Sequence, residues 1–396
     1  MRTALHEALC AHVDRIADDL IAASHAIHAR PELAFEEHFA CETLTGSLAA
    51  HGLYARQGVY ALPTAFEASF NDAAEGPTVA VLAEYDALPG IGHACGHNII
   101  ATSALGAALA LHAVAEQLPG RVRLIGTPAE EKGGGKELMA RAGAFEGVDA
   151  ALMIHPSGVN LASMPCICIA EVEVTYHGRS AHASAMPHKG INALDGLLLA
   201  YQAISNLRQH IRSSERIHGI ITDGGAAPNI VPDRAAGQFY VRAANARALE
   251  ALKPRVQACF EAGAQGSGCE VDIAWAGVDY LDLNTNWPLA DRFQAHAEAL
   301  GREFVPFEEA RKWGAGSTDM GNVSHRLPSI HPMLAVAPPN VVIHNPEFAE
   351  WAASDRGDAA VLDGARALAC TAADFLTSGD LQRAARTAFD VGTGLS

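Results

Sequence analysis

The sequence has no cluster of basic residues and carries an excess of acidic ones. Lysine and arginine together number 28 against 45 aspartates and glutamates, which gives a formal net charge of −17. Nucleic-acid binding depends on a clustered basic surface, because contacts with the phosphate backbone dominate the affinity. The composition therefore argues against nucleic acids as partners.

Long apolar runs are also missing. No stretch approaches the roughly 20 residues that a helix needs to cross a bilayer. The first residues contain no apolar segment of the kind found in secretory signals. The sequence therefore predicts no membrane association, and a cytoplasmic location is the default expectation.

Cysteine is sparse, with eight residues scattered over 396 positions. A small secreted domain held together by disulfides would have many more cysteines at close spacing. The apolar fraction of 49% and the charged fraction of 18% are typical of a well-packed globular protein. Because the chain is too long for one ordinary hydrophobic core, we expect two domains.

The first part of the chain has the pattern of an α/β domain. Apolar residues from Val13 to Ile27 recur at three- and four-residue steps and predict one amphipathic helix. Between about residues 78 and 154, β-rich runs alternate with an Ala/Leu-rich helix and a shorter helix that follows three glycines. Such alternation is typical of a mainly parallel sheet with helices on both faces.

A different pattern begins near residue 171. Strand, helix, strand, strand, helix and strand follow one another, which favours a small α+β, ferredoxin-like domain with helices on one face of its sheet. The long first helix is expected to bury Leu194, Leu198 and Tyr201 on one stripe.

Helical patterns return after about residue 279 and end with a helix near 359–375. We therefore expect residues 171–278 to form a domain inserted into a larger, discontinuous α/β domain made of residues 1–170 and 279–396.

Candidate metal ligands follow the apolar runs of the larger domain. Cys95 and His97 lie two residues apart after one run, Glu130 and Glu131 follow the next predicted strand, and His155 ends a third run. Because ligands collect at the carboxyl ends of parallel strands, we expect these side chains to lie at one edge of the sheet.

Taken singly, these residues have ordinary structural explanations. Glu130 and Glu131 could begin a solvated helix, where acidic residues favour the first turn. His155 could be a hydrogen-bonded core histidine, as could His344 at the end of a later apolar run. As a set, five residues offer sulfur, nitrogen and oxygen donors that suit zinc, in a number that suits two ions with a shared ligand. The five are Cys95, His97, Glu131, His155 and His344.

Six segments resemble those of the M20 family of metallopeptidases and amidohydrolases. They occur in the family's order over nearly the whole chain, so the joint match is highly specific. The segments are 27–33, 85–89, 93–98, 128–131, 178–183 and 229–233. Residues 84–98 are most similar to the branch that contains β-alanyl-lysine dipeptidase and aminobenzoyl-glutamate hydrolase.

The resemblance implies a metal-dependent amide hydrolase whose larger domain is catalytic and whose inserted domain serves as a lid and dimerisation domain. It also implies two divalent metal ions per subunit. In this scheme Cys95 bridges the ions, His97 and His155 complete one site, and Glu131 and His344 complete the other. Zinc is favoured because a thiolate is a soft ligand, with manganese, cobalt and nickel as alternatives.

The resemblance implies catalytic roles for two carboxylates. Glu130 would take a proton from the attacking water and deliver it to the leaving amine. Asp86 would orient a ligand histidine. Other M20 branches have a ligand histidine at the position of Glu84, for which His97 is interpreted as the substitute, and an aspartate bridge at the position of Cys95.

The inserted domain contributes further candidates through the same resemblance. His182 matches a family histidine that reaches across the dimer to the developing oxyanion. Asn229 and Arg242 match residues that grip a substrate carboxylate, a contact for which the planar guanidinium is suited. His218 is a weaker candidate for the cleft. From the residues alone, His182 is better explained as an exposed loop histidine. Arg242 fits a partner in a surface ion pair equally well.

A glycine-rich turn at residues 314–320 is the last candidate. The backbone N–H groups of Gly316 and Ser317 are expected to reach the same substrate carboxylate, unless the turn is only flexible.

The sequence is compatible with three functions. The first is hydrolysis of an amide bond adjacent to a free carboxylate, in a dipeptide or an N-acyl or aminoacyl amino acid. The alternative is an amidohydrolase for a non-peptide C–N bond, such as an aryl amide or aryl amine. A non-catalytic relative is disfavoured, because Glu130 and all five ligand candidates are present. The expected partners are a small-molecule substrate with a carboxylate and a second copy of the chain in a homodimer.

Overall fold

The computed structural model describes residues 3–72 and 74–392. The chain divides into two compact units, which we call unit 1 (Met1–Pro165 with Leu283–Ser396) and unit 2 (Cys166–Asp282). Within the described residues, no helix combines the length and the apolar character that crossing a bilayer requires.

Unit 1 is built from two segments of the chain. The first segment contains α1 (Ala4–Arg15), α2 (Ala17–Ala29), α3 (His38–Ala50), β1 (Ala55–Gln57), β2 (Phe66–Phe70), β3 (Thr78–Glu84), α4 (His97–Ala113), β4 (Arg121–Thr127), α5 (Gly135–Arg141), β5 (Ala150–Leu152) and β6 (His155–Ser157).

Unit 2 contains β7 (Cys168–His177), α6 (Ala193–Leu207), β8 (Arg216–Asp223), β9 (Arg234–Ala243), α7 (Ala246–Ser267) and β10 (Glu270–Trp275).

The second segment of unit 1 is mostly helical. It contains α8 (Trp287–Glu298), α9 (Phe307–Ala310), α10 (Met320–Ser324), β11 (Ser329–Ile330), β12 (Met333–Ala335), α11 (Pro346–Ala352), α12 (Asp355–Thr377) and α13 (Gly379–Gly392).

The main sheet of unit 1 has the strand order β1-β2-β4-β3-β5-β11. Strands β4, β3, β5 and β11 are parallel to one another, whereas β2 pairs antiparallel with both β4 and β1. In the central strand, Val81 lies between Leu124 of β4 and Leu152 of β5. All seven residues of β3 are buried, which explains why this strand reads as a continuous apolar run. The predicted mainly parallel α/β fold is confirmed.

Two helix predictions for unit 1 were wrong in detail. The helix expected through residues 13–27 is two helices, α1 and α2, because Ile16 leaves the helical conformation at φ −106° and ψ 14°. The helix expected to be the last, α12, is followed by α13. Ser378 is extended (φ −114°, ψ 101°) and separates the two.

Unit 2 is an antiparallel sheet in the order β10-β7-β9-β8, with α6 and α7 packed on one face. The α+β architecture predicted for the insertion is confirmed. The buried stripe of α6 was predicted wrongly, since Leu197 is buried and Leu198 is 47% exposed. The close approach of α6 to α7 determines which face of α6 is buried. A Cβ atom on Gly263 would lie 2.4 Å from the carbonyl oxygen of Gly196.

Candidate metal centre

The carboxyl ends of neighbouring parallel strands bring the ligand candidates of unit 1 together. Glu84 at the end of β3 pairs with Thr127 at the end of β4. Cys95 and His97 follow β3, and Glu131 follows β4. β5 leads into β6, whose first residue is His155. The candidates therefore meet at one edge of the sheet.

The five predicted metal ligands form two groups that share Cys95. The ligand atoms of Cys95, His97 and His155 all lie within 4.8 Å of one another, as do those of Cys95, Glu131 and His344. Cys95 Sγ is 3.4 Å from His155 Nε2 and 3.5 Å from His344 Nε2. His344 Nε2 is 3.4 Å from Glu131 Oε2. We call these the His155 group and the His344 group.

These separations fit pairs of ligands on one metal ion. Tetrahedral zinc binds sulfur at about 2.3 Å and nitrogen or oxygen at about 2.0–2.2 Å, so adjacent ligand atoms lie about 3.3–3.6 Å apart. Burial, reinforced by the carboxylate of Glu131, raises the pKa of the Cys95 thiol well above its ordinary value. A thiolate at this position therefore needs a cation beside it. The donor set fits two ions with Cys95 between them.

A hydrogen bond at Nδ1 fixes the tautomer of each of the two buried histidines, His97 and His155. Nδ1 of His97 donates to Asp86 Oδ1 at 3.0 Å, and Nδ1 of His155 donates to the carbonyl oxygen of Pro156 at 2.6 Å. The Nε2 atoms are thereby left to face the site. Burial and the neighbouring His97 lower the pKa of His155 to about 4, so its ring is neutral, as a metal ligand must be.

Backbone turns place the ligands where they are. Gly96 has φ 77°, and a Cβ atom there would lie 2.8 Å from Cγ of Pro156. This glycine lets the Cys95–His97 turn approach β6. His344 has φ 63°, an uncommon value for a non-glycine residue, and its N–H donates to the carbonyl oxygen of Ala94 at 2.8 Å. Such backbone conformations concentrate at functional sites.

A buried carboxylate that the sequence analysis missed holds the turn before Glu130. Ala129 has φ 63°, and its N–H donates to Glu37 Oε1 at 2.8 Å. The other oxygen of Glu37 accepts a hydrogen bond from Thr64 Oγ1 at 2.7 Å. Burial raises the pKa of Glu37. The sequence offered no signal for this role, because Glu37 lies 92 residues from Ala129.

Glu130 lies beside the two groups. Its Oε2 atom is 4.0 Å from His97 Nε2, and the residue is buried. Burial, followed by the carboxylates of Glu84, Glu131 and Asp319, raises the pKa of Glu130 well above its ordinary value. A carboxylate with increased proton affinity is suited to take and return a proton at neutral pH.

A fully buried lysine lies next to the site and was not singled out from the sequence. Lys136 Nζ donates to Glu84 Oε2 and, at 2.8 Å, to Asp319 Oδ1. Its backbone N–H donates to Asp319 Oδ2, also at 2.8 Å. Burial lowers the pKa of Lys136, but the two carboxylates outweigh it and raise the pKa above its ordinary value. The lysine therefore stays charged.

His331 is a further buried residue that the sequence analysis missed. Its ring lies edge-on to that of His155, with the centroids 5.4 Å apart. The signal was present, since Ile330-His331-Pro332 has the same form as Ile154-His155-Pro156. Burial and the neighbouring His155 lower the pKa of His331 to about 3.

The substrate-binding candidates of unit 2 include a contacting pair on its sheet. Arg242 Nε donates to His218 Nε2 at 3.3 Å. The ring of Tyr240 lies within 6 Å of both, at 5.9 Å from Arg242 Cζ and 5.6 Å from the His218 centroid. Arg242 thus contacts His218 and an aromatic ring.

His182 and Asn229 lie in paired loops of unit 2. The backbone N–H of Ala183 donates to the carbonyl oxygen of Asn229 at 3.0 Å. His182 Nδ1 accepts the backbone N–H of Ala185 at 3.2 Å, which places the ring proton on Nε2. His182 lies at the surface of unit 2, so this Nε2–H is presented to solvent.

One part of the predicted carboxylate site is already occupied by the protein itself. The backbone N–H of Gly316 donates to the carbonyl oxygen of Pro165 at 3.0 Å. In this conformation Gly316 is not a donor to a substrate.

Residues 80–374 match the sequence model of peptidase family M20/M25/M40. The chain belongs to peptidase family M20. The resemblance predicted from the six segments is confirmed.

Curated M20 relatives match nearly the whole chain. It is 40% identical to the Xaa-Arg dipeptidase of Mus musculus over 395 residues, which is 95% of this chain and 90% of the mouse protein. It is 30% identical to a p-aminobenzoyl-glutamate hydrolase subunit from Escherichia coli (strain K12), over 89% of this chain and 88% of that protein.

A solved M20 structure has the same fold. It is a Bacillus subtilis protein described as a dinuclear metal binding peptidase, with a TM-score of 0.65, 21% identity and coverage of 91% of this chain and 99% of that one. At this identity the likeness concerns the fold. Family membership makes the chain a metal-dependent peptidase or amidohydrolase, and the predicted enzyme class is confirmed.

Proposed function

We propose that this M20 enzyme hydrolyses dipeptides at the amide bond adjacent to the free C-terminal carboxylate. The observation that carries the proposal is the sharing of Cys95 by two ligand groups, with Glu130 beside them. The mouse relative, named as an Xaa-Arg dipeptidase, supports a basic C-terminal residue as the first substrate class to examine.

The five ligands are proposed to hold two divalent ions, zinc before manganese, cobalt or nickel. Bound ions would polarise the substrate carbonyl and lower the pKa of a water molecule. Glu130 takes the proton of the attacking water and returns it to the leaving amine, a role that its raised pKa supports. Asp86 keeps His97 in the tautomer that presents Nε2.

Unit 2 is proposed to act as a lid and to recognise the substrate. His182 donates its Nε2 proton to the developing oxyanion, a contribution that its hydrogen bond from Ala185 supports by fixing the tautomer. Arg242 and Asn229 bind the substrate carboxylate. His218 orients Arg242 by accepting its Nε proton.

Unit 2 is also proposed to form the homodimer. Apolar side chains are exposed on α6 and on β8, which is an edge strand of its sheet. They are Leu198, Leu199, Ile220 and Ile221, and Ile220 is 61% exposed. An edge strand with exposed apolar residues is a surface that proteins usually cover. A second copy of the same strand provides such a cover with two-fold symmetry.

The alternative is an amidohydrolase that cleaves an aryl amide. The 30% identity to a p-aminobenzoyl-glutamate hydrolase subunit supports this alternative, because the substrate in that name is an aryl amide. That substrate also ends in a free carboxylate. A carboxylate clamp would serve either substrate.

A metal-supplemented assay against a substrate panel separates the two. The panel contains Xaa-Arg and Xaa-Lys dipeptides, β-alanyl dipeptides, N-acyl amino acids and aminobenzoyl-glutamate. Each dipeptide is matched with its C-terminal amide, which removes only the carboxylate charge. We expect cleavage of dipeptides and little cleavage of the amides. Cleavage of aminobenzoyl-glutamate alone would replace the proposal with its alternative, and equal cleavage of acids and amides would remove the carboxylate requirement.

A further inference from the structure

Glu84 places a buried carboxylate oxygen against the His155 group. The residue ends β3 and is fully buried. Its Oε1 atom has no hydrogen-bond partner among the described residues. A buried carboxylate oxygen without a partner is costly, so a proton or a cation is expected beside it.

The neighbour of this oxygen is the Nε2 atom of His97. Glu84 Oε1 lies 2.9 Å from His97 Nε2, but the two atoms do not meet in hydrogen-bond geometry. Because His97 donates through Nδ1 to Asp86, its Nε2 atom is directed towards the site. Burial lowers the pKa of His97, but Glu84 and Cys95 outweigh it and raise the pKa well above its ordinary value. A cation is therefore expected between the two atoms, either a proton on Nε2 or a metal ion that takes the place of that proton.

We propose that Glu84 Oε1 is an additional ligand of the metal ion that Cys95, His97 and His155 hold. On an ion whose coordination expands to five or six ligands, two ligands at right angles with bonds of about 2.1 Å lie about 3.0 Å apart. The measured 2.9 Å between Glu84 Oε1 and His97 Nε2 is close to this value. The proposal depends on the proposed function in one respect only, namely that metal binds to the His155 group and the His344 group.

Lys136 is assigned the positioning of this carboxylate. Its Nζ atom binds Glu84 Oε2, the oxygen that does not face His97. Lys136 is itself fixed by two hydrogen bonds to Asp319, both of 2.8 Å. The ammonium group therefore selects which oxygen of Glu84 faces the site. All three side chains are fully buried, so water does not compete for these contacts.

Under this proposal the two ions differ in their number of protein ligands and in their affinity. The His155 group then has four protein donors, and all of them are buried. The His344 group has three, and the side chain of His344 is 52% exposed. Glu84 therefore gives the His155 group the higher affinity and the slower exchange of its ion.

The first test is Glu84→Gln, which preserves shape and removes the charge. Zinc affinity at both sites is measured by competition with a chelator, and metal content is measured after dialysis. Loss of a residue that only orients a ligand costs about 10–100-fold in affinity, so loss of a ligand should exceed about 100-fold for one ion. Glu67→Gln is the matched control, because Glu67 is a buried carboxylate paired with Arg123 away from the ligands. Two ions bound with wild-type affinity in Glu84→Gln would overturn the proposal.

A second variant tests the positioning role. Lys136→Met should weaken the same ion, whereas adding it to Glu84→Gln should cause no further loss, since the two residues act through one carboxylate. Additive losses would overturn the positioning role. If Lys136→Met does not fold, a crystal structure of the zinc-loaded wild-type enzyme decides. Glu84 Oε1 within about 2.2 Å of an ion supports the proposal, and a distance above about 3 Å overturns it.

The same measurements distinguish this proposal from the proposed function. Wild-type enzyme that binds no metal would contradict the dinuclear site itself. Wild-type enzyme that binds two ions, with Glu84→Gln equal to it, would contradict only the role of Glu84.

Discussion

The imidazole of His97 donates a hydrogen bond of 3.0 Å to the carboxylate of Asp86. The second oxygen of the same carboxylate accepts the backbone N–H of Glu131 at 2.9 Å. Asp86 therefore connects the His155 group with the His344 group. A small displacement of this one side chain would move a ligand in each, which is why a residue outside both ligand groups can control both.

Glu130→Gln should abolish turnover while metal and substrate binding remain. The amide keeps the shape of the side chain but cannot accept the proton of water, and a positioned general base contributes about 10²–10⁴-fold to the rate. We expect kcat to fall by at least this factor with two ions still bound. Glu137→Gln is the control, because Glu137 is a buried carboxylate of α5 that pairs with Arg141 and Arg326. Wild-type kcat in Glu130→Gln would exclude Glu130 as the base.

Cys95→Ala should weaken the binding of both ions, whereas His344→Ala should weaken the binding of only one. Cys95 belongs to both groups and His344 to one of them. Metal content after gel filtration, measured by mass spectrometry, reports the number of ions. Cys41→Ala removes a buried thiol elsewhere and should retain both ions. Unchanged metal content in Cys95→Ala would refute the shared ligand.

Arg242→Ala should raise KM more than it lowers kcat. A charge-assisted hydrogen bond to a carboxylate contributes about 1.5–3 kcal/mol, which corresponds to a KM increase of about 10–150-fold. Arg234→Ala is the matched control on the same strand, where Arg234 pairs with Asp223. An unaffected KM for the free-acid substrate would contradict the carboxylate clamp.

Ile220→Glu should weaken the dimer. The charge would be placed on the exposed edge strand β8, where burial against a second copy makes it costly. Light scattering coupled to gel filtration measures the mass in solution. Val391→Glu introduces the same charge at an exposed apolar residue of α13 in unit 1 and should leave the mass unchanged. A monomeric wild-type protein, or a dimeric Ile220→Glu variant, would refute the interface.

Asp374→Asn should destabilise unit 1 at neutral pH and have little effect in acid. Asp374 on α12 accepts hydrogen bonds of 2.9 Å from His6 of α1 and His296 of α8, and Arg292 Nε lies 3.6 Å away. Burial raises the pKa of Asp374, but the contacts with His296 and His6 outweigh it and lower the pKa below 3.8.

The lowered pKa determines the direction of the pH dependence. The stabilisation from Asp374 is present above about pH 4 and is lost as the pH falls through the depressed value. At pH 7 we expect the free energy of unfolding to decrease by about 1–3 kcal/mol in Asp374→Asn, measured by urea denaturation. The difference from wild type should shrink towards pH 3. Asp380→Asn, an exposed residue of α13, is the control. A difference that is independent of pH would contradict this account.

The sequence predicted the sheet edge because the ligands interrupt its apolar runs. A residue such as His155 directly after buried strand residues must lie at a strand end, and parallel strands bring those ends together. The same reasoning would have found His331, whose Ile-His-Pro context is identical. The order of the family segments was enough to predict which residues share Cys95, and no further tertiary information was needed.

Other contacts could not be predicted from local pattern. Lys136 and Asp319 are separated by 183 residues, and a lysine after three glycines is ordinarily expected in solvent. Its burial depends on the carboxylates of Glu84, at the end of β3, and Asp319, directly before α10. The face of α6 depended likewise on the approach of Gly196 to Gly263, which no periodicity within α6 reveals.

The spacing between Cys95 and His344 has a consequence for how the protein is made. The two residues are 249 positions apart, and the whole of unit 2 lies between them in the chain. Cys95, His97, Glu131 and His155 leave the ribosome long before His344 and before β11, which completes the sheet beside β5. A chain in synthesis therefore carries one complete ligand group and one incomplete group until His344 has been made. If the two groups bind two ions as proposed, the ion of the His344 group is captured late in the maturation of this enzyme.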